Sequence, residues 1–261
     1  MASNGLGITE SLVHAPVSNQ GAYAYRSKMG MVPSAEWDVF FDDFHSFIVA
    51  TAITNGPVAN TPWGWQGAVI DSGATAAVTT TAALGATGVL TLSDATASEG
   101  VAFYGTKSVQ LTAGKRFFME ARVRSDDVSD NAIQFGLSAL TATTNPEDLW
   151  TTTAADLVSV GILDGSAYLT MLADKSNSGS TAETSTTRAM VVNTWHTIAF
   201  SYDGGSALKV YLDGLPALTW SQASTTIPTG VALAPFIGVL NGNGAGGATN
   251  YVDYIRYVIE R

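Results

Sequence analysis

The sequence predicts an all-β protein: an antiparallel β-sandwich or jelly roll with one short helix and an irregular N-terminal arm. Three observations carry this. Alternating apolar and polar runs recur at intervals of about 8–12 residues. Asp-Gly pairs at 164–165, 203–204 and 213–214 stand between such runs, where hairpin turns need residues that tolerate positive φ. Charged residues make up only 13% of the 261 positions, while 46% are hydrophobic, so one sizeable core is expected under a surface of Thr, Ser, Asn, Gly and Ala.

Taken in order, residues 1–35 keep no period of two or 3.6 and are interrupted by Gly5, Gly7, Pro16, Gly21, Gly30 and Pro33. They read as a loose terminus or as an arm that orders on a partner. Tyr23, Tyr25, Arg26 and Met29 are the candidate anchors of such an arm. The folded domain spans 36–261 and begins with WDVFFDDF (37–44), where Asp42-Asp43 marks a bend and Phe41 and Phe44 need burial. Trp63 and Trp65 open the strand WGWQGAVID. Exposed, they would make a sugar-stacking platform; buried, they plug the core, which is the preferred reading.

VTTTA and GVLTLSD read as short strands, since β-branched threonines favour them, and EGVAFYG follows. KRFFMEARVRS (115–125) has the cleanest alternation: Phe117, Met119, Ala121 and Val123 face one way, Phe118, Glu120, Arg122 and Arg124 the other. IQFGLSA continues the series. NPEDLWTT (145–152) is the helix candidate, with Asn145 as cap, Pro146 in the first turn and Glu147-Asp148 against the dipole. LVSVGILD and AYLTMLAD form a hairpin, and SNSGSTAETSTT (176–187) reads as a long loop.

The stretch from Trp195 to Gly214 is the clearest hairpin. His196, Ile198, Phe200 and Tyr202 share one face of its first run; Leu208, Val210 and Leu212 share one face of its second. LPALTW and VALAPFIGVL come next, then the glycine-rich turn 241–247. In the last run Tyr251, Asp253, Ile255, Tyr257 and Ile259 alternate with Val252, Tyr254, Arg256 and Val258. A run this apolar on both faces is expected in the middle of a sheet.

The net charge of -10 argues against a nucleic-acid protein, which needs a basic patch for phosphates. The absence of cysteine excludes disulfides and thiolate metal sites. No basic start leads into an apolar core, so no signal peptide is expected, and no run of about 20 apolar residues suggests a membrane span.

The segment order over about 36–261, and above all the pair W-H-T-I-A-F-S-Y-D-G and K-V-Y-L-D-G, resembles the concanavalin A-like lectin/glucanase jelly roll. Within it, the lack of a signal peptide and of cysteine, the Thr/Ala/Gly-rich surface and the closing V-D-Y-I-R are similar to tailed-bacteriophage head proteins that act as capsid cement or decoration. That resemblance implies a non-enzymatic structural protein on the outer capsid surface of the virion, made in the host bacterial cytoplasm. Its implied partners are the major capsid protein and itself, as a homotrimer, with no cofactor. A carbohydrate-binding, lectin-like module, displayed for host attachment, is the alternative; its aromatic candidates are Trp63, Trp65, Trp150 and Trp220.

Catalytic patterns are not found. Glycanases of this fold place an acid and a nucleophile on one strand as E-x-D-x-x-E or E-x-D-x-E, about 5 Å apart for retention. Here Glu120 has Arg122 at the second position, and Glu147-Asp148 are adjacent. No G-x-S-x-G occurs. His14, His45 and His196 lack zinc spacing, and His196 reads as structural. Asp164, Asp174, Asp203 and Asp213 lie near turns, which attract Asp without any calcium, so no metal ligand is assigned.

Overall fold

The computed structural model describes residues 37–42, 44, 65–70, 75–79, 88–93, 100–106, 109–139, 156–175, 181–221, 226–242 and 247–261. Among the described residues sixteen strands follow one another: β1 (Trp37–Asp42), β2 (Gln66–Ile70), β3 (Thr75–Thr79), β4 (Val89–Ser93), β5 (Gly100–Tyr104), β6 (Val109–Gln110), β7 (Phe117–Ser125), β8 (Asn131–Ser138), β9 (Leu157–Leu163), β10 (Ser166–Asp174), β11 (Thr181–Ala189), β12 (His196–Tyr202), β13 (Ala207–Leu212), β14 (Leu215–Ser221), β15 (Ala232–Asn241) and β16 (Thr249–Glu260).

They form two antiparallel sheets. The first has the order β14-β13-β12-β7-β16-β4-β3, the second β11-β10-β9-β8-β15-β5-β2. β16 is long enough to serve two partners along one edge: β4 pairs with residues 249–252 and β1 with residues 255–260. It is a central strand, as its two apolar faces foretold.

Alternation explains the core. Phe117, Met119, Ala121 and Val123 of β7, with Ile198, Phe200 and Tyr202 of β12, are buried against Ile133, Phe135 and Leu137 of β8 and Val158, Val160 and Ile162 of β9. Aromatic rings run in sequence through this layer. Trp65 meets Phe40 at 6.3 Å, Phe40 stacks on Tyr257 at 4.9 Å, Tyr257 meets Phe117 at 5.9 Å, and Phe117 meets Phe200 at 5.7 Å. Phe200 then reaches across to Phe135 of the opposite sheet at 6.3 Å. Such offset and tilted pairs each add about 0.5–1.5 kcal/mol beyond area burial.

The Asp-Gly signals all mark reversals. Asp213 (φ 53°) and Gly214 (φ 77°) form a two-residue turn in which Leu212 pairs with Leu215. Both central residues at positive φ are what the strand twist requires there. Asp164-Gly165 also makes a two-residue turn, between β9 and β10 with Leu163 paired to Ser166, but there Gly165 alone has positive φ (81°). In the longer turn after Tyr202, the Asp203 carboxylate accepts N–H bonds from Gly205 (2.8 Å) and Ala207 (3.2 Å).

Three expectations differ. Residues 181–187 belong to the stretch read as a loop, yet they lie in β11 (Thr181–Ala189), the polar edge of the second sheet. Polar-on-both-sides strands look like loops in sequence, and this one is fixed by its neighbours. Ser185 Oγ donates to Ala217 O (2.9 Å) and Arg188 Nε to Pro216 O (3.1 Å), tying β11 to β14 across the open side of the sandwich. The alternation in β16 also changes phase. A β-bulge between Val252 and Tyr254 sends Tyr251, Asp253 and Tyr254 to the outer face, while Val252, Ile255 and Tyr257 stay in the core. Finally, Phe44 is fully buried, but Phe41 remains 38% exposed, leaning on Tyr254. The helix expected over 145–152 and the arm over 1–35 lie outside the described residues.

Candidate functional site

Trp65 is part of the core, 1% exposed, and its Nε1 donates to Asp42 Oδ2 at 2.7 Å. Asp42 also accepts the Phe44 N–H at 2.7 Å, which sets the bend after β1. Trp220 is likewise buried, at 5%. Neither ring offers a face to a sugar, which corrects the stacking role considered for Trp65. The inward phase of β14 and the Asp42 acceptor are the physical reasons. Trp63, Trp150 and the arm residues Tyr23, Tyr25, Arg26 and Met29 lie outside the described residues.

His196 and Asp213 come together, and their geometry is that of a latch. His196 Nδ1 is 2.8 Å from Asp213 Oδ2, and His196 Nε2 accepts the Val191 N–H at 2.9 Å. An accepting Nε2 has no proton, so Nδ1 carries it and donates to Asp213. Both ring nitrogens are thereby committed, and no nitrogen remains to serve a nucleophile. Asp213 also accepts the Thr197 N–H at 2.8 Å. Burial raises the affinity of its carboxyl for a proton, but the His196 and Thr197 hydrogen bonds outweigh this and hold the pKa below the ordinary carboxylate value. The W-H … L-D-G pattern is thus a structural signature: His196 clamps both the β13–β14 turn and the turn at 191–194.

The outer face of the second sheet carries Gln134, Ser138, Ser159, Thr170 and Asp174, with Gly136 and Gly161 between them; all five polar side chains are at most 2% exposed. Asp174 is the carboxylate on that face among the described strands, so a pair suited to glycoside cleavage does not form there from described residues.

The outer face of the first sheet is different. Three arginines, drawn from a chain with only 12 basic residues, gather on β7 and β16. Glu120, 1% exposed, lies 2.7 Å from Arg256 Nε and accepts the Tyr254 hydroxyl at 3.0 Å. Small neighbours on β12, Ala199 and Ser201, leave the space that lets this layer close. It is an ion pair built into the sheet. Toward the rim the face opens. Arg122 lies over the Trp195 ring at 4.9 Å and pairs with Asp253. Arg124 lies over the Tyr251 ring at 5.2 Å and donates from Nη2 to Asn193 Oδ1 at 3.0 Å. Asn193 is exposed; Arg122, Arg124, Trp195, Tyr251 and Asp253 are partly exposed; Val191 and Val192 beside them are 55% and 46% exposed.

Each of these side chains has a definite support. The alternation of β7 aims both arginines outward, and the β16 bulge adds Asp253 beside Tyr251. The turn holding Asn193, which has φ 58°, is fixed by the Asn193 N–H to Ser125 O bond (2.7 Å) and by the Val191–His196 bond. Arg122 and Arg124 were legible as outward-facing; Asp253 was not, because a bulge leaves no mark in an alternating sequence. Trp195 opens the hairpin motif, but sequence gave no sign that it would sit under a guanidinium.

No family model matches the chain, and no curated protein matches it. Solved structures do. The chain is similar to the carbohydrate recognition domain of Emp47p, with 14% identity and a TM-score of 0.54 over 87% of this chain and 98% of that one. It is also similar to LamAcat from Zobellia galactanivorans (16% identity, TM-score 0.52, 85% and 96% covered). An endo-β-1,4-glucuronan lyase from the fungus Trichoderma reesei gives 13% identity and a TM-score of 0.51, with 84% and 94% covered. Likeness at such identities speaks for architecture and leaves function to the residues. The chain has the antiparallel jelly-roll sandwich of lectin- and glucanase-like proteins.

Proposed function

We propose that the protein is a non-catalytic carbohydrate-binding domain whose contact surface is the outer rim of the first sheet. The observation that carries this reading is the array of Arg122, Arg124, Asn193 and Asp253 beside Trp195 and Tyr251. Guanidinium, amide and carboxylate groups are planar and bond two vicinal hydroxyls at once, which is how pyranose edges are recognised. Strands β7 and β16 and the hydrogen-bonded turn at 191–194 hold these groups in place before any ligand arrives, so little ordering entropy opposes binding. The site's side chains are exposed or partly exposed, and display of several copies would strengthen weak single contacts. The solved carbohydrate recognition domain of the same fold supports the reading as an analogy. The test is a glycan array followed by titration calorimetry on the hits. Trp195→Ala should weaken binding at least tenfold while the fold persists; a wild-type protein that retains no glycan contradicts the proposal.

A second reading is a bacteriophage capsid decoration subunit, bound to the major capsid protein as a homotrimer on the outside of the virion. The 13% charge content favours it, since a weakly charged surface is easily covered by neighbours, and so does the aromatic content of residues 1–35. The two readings are compatible, because a shell-bound domain can display a sugar site. Tyr23→Ala with Tyr25→Ala should lower cosedimentation with purified shells; unchanged occupancy counts against the arm.

A further inference from the structure

The three arginines on the outer face of the first sheet are not equivalent, and the difference names a ligand class. Arg256 faces the Glu120 carboxylate at 2.7 Å, and Arg122 faces the Asp253 carboxylate. Arg124 faces no carboxylate among the described residues. Its Nη2 meets a neutral amide oxygen on Asn193, and its Cζ lies over the Tyr251 ring. A guanidinium is always charged and presents five N–H donors, and here Nη2 alone meets a described acceptor. In a chain of net charge -10, such an unmatched cation on a fixed strand is conspicuous.

Resting on the carbohydrate-binding reading, we propose that Arg124 anchors a carboxylate, and that the ligand is an acidic polysaccharide containing uronate residues. A carboxylate accepts two parallel N–H bonds from one guanidinium, and those charge-assisted bonds are about twice as strong as neutral ones. Tyr251 holds the guanidinium plane from below, and Asn193 fixes one of its edges, so the orientation exists before the ligand arrives. Arg122 and Asp253 stand on the neighbouring positions and suit the hydroxyls of the same sugar. The exposed Val191 and Val192 border the site and suit the apolar face of an adjoining ring. The remaining negative charge of the molecule repels an acidic polymer elsewhere and confines it to this rim.

The test is calorimetric titration of the full chain with an oligoglucuronate, with the same oligosaccharide after reduction of its carboxyls to primary alcohols, with a neutral β-glucan oligosaccharide and with an oligoglutamate peptide. The wild type should bind the oligoglucuronate at least tenfold more tightly than its reduced form. Arg124→Gln should abolish that preference, and Arg124→Lys should restore part of it, with unchanged thermal melting as the control for folding. Binding should also weaken as salt rises. Equal affinity for acidic and reduced forms, indifferent to Arg124→Gln, overturns the carboxylate anchor and leaves the carbohydrate reading standing. Binding to none of the saccharides overturns both. Oligoglutamate binding in place of the saccharides also overturns both.

Discussion

Replacing Asp213 by asparagine tests whether the His196–Asp213 pair is a latch and nothing more. Asparagine keeps the size of the side chain and tolerates the left-handed conformation at φ 53°, so the turn itself is not strained. What is lost is the charge that accepts from His196 Nδ1 at 2.8 Å and from the Thr197 N–H at 2.8 Å. Hydrogen bonds to a charged acceptor contribute about 1.5–3 kcal/mol when buried. The Asp213 side chain is 48% exposed, and solvent screening reduces the sum to about 1–2 kcal/mol. For a chain of this size that corresponds to a melting temperature lower by about 2–8 °C. Asp213→Ala adds left-handed strain of about 1 kcal/mol at the same position and should melt lower still. Thermal denaturation followed by circular dichroism at neutral pH reads both. The folded-state pKa of Asp213 is depressed, so its contribution is complete above about pH 5 and is lost as pH falls through the folded value. The wild type and Asp213→Asn should therefore converge in strong acid. Equal melting of the two at neutral pH, or a gap that widens on acidification, refutes the latch.

Other predictions follow from the same geometry. Glu120→Gln removes the carboxylate facing the nearly buried Arg256 and should cost about 3 kcal/mol, measured by urea unfolding, without changing ligand binding. Gly161→Ala would place a Cβ 1.7 Å from Ile133 O, so β8 and β9 must separate; a loss of about 3 kcal/mol is expected in the same measurement, and a wild-type stability curve contradicts the close pairing. Asp38 and Glu260 have pKa values held low, the first chiefly by Arg261 and the second chiefly by Arg116. Their contribution is present above about pH 4–5 and fades below it, so acid should release Asp38 of β1 from Arg261 and Glu260 of β16 from Arg116, visible as faster amide exchange at the outer end of the β1–β16 pairing and between Arg116 and Glu260.

The reach of the sequence can be judged from particular elements. β7, β12 and β13 were legible because each has one buried face and one mixed face, so the period of two shows directly. The Asp-Gly turns were legible because positive φ restricts the residues that can stand there. β11 was not, since an edge strand of Thr, Ser and Glu has no apolar face to reveal it. The bulge in β16 was not either: one inserted residue shifts the phase of every side chain before it, yet the letters still alternate. The site suffers from both effects. Arg122 and Arg124 could be placed outward, but their partners Trp195, Asn193, Tyr251 and Asp253 come from a loop and a bulge that only the folded sheet brings together. Trp65 and Trp220 went into the core, where the buried Asp42 carboxylate accepts the Trp65 indole N–H.

The most direct test of the account is to map where a bound sugar lies. Backbone and side-chain resonances of the full chain should be followed while the tightest saccharide from the array is added. A sugar bound at the arginine rim should shift Asn193, Trp195, Arg122, Arg124 and Tyr251 and leave Gln134, Ser159 and Gly161 unmoved. Shifts centred on the outer face of the second sheet, with the arginine rim silent, would contradict it.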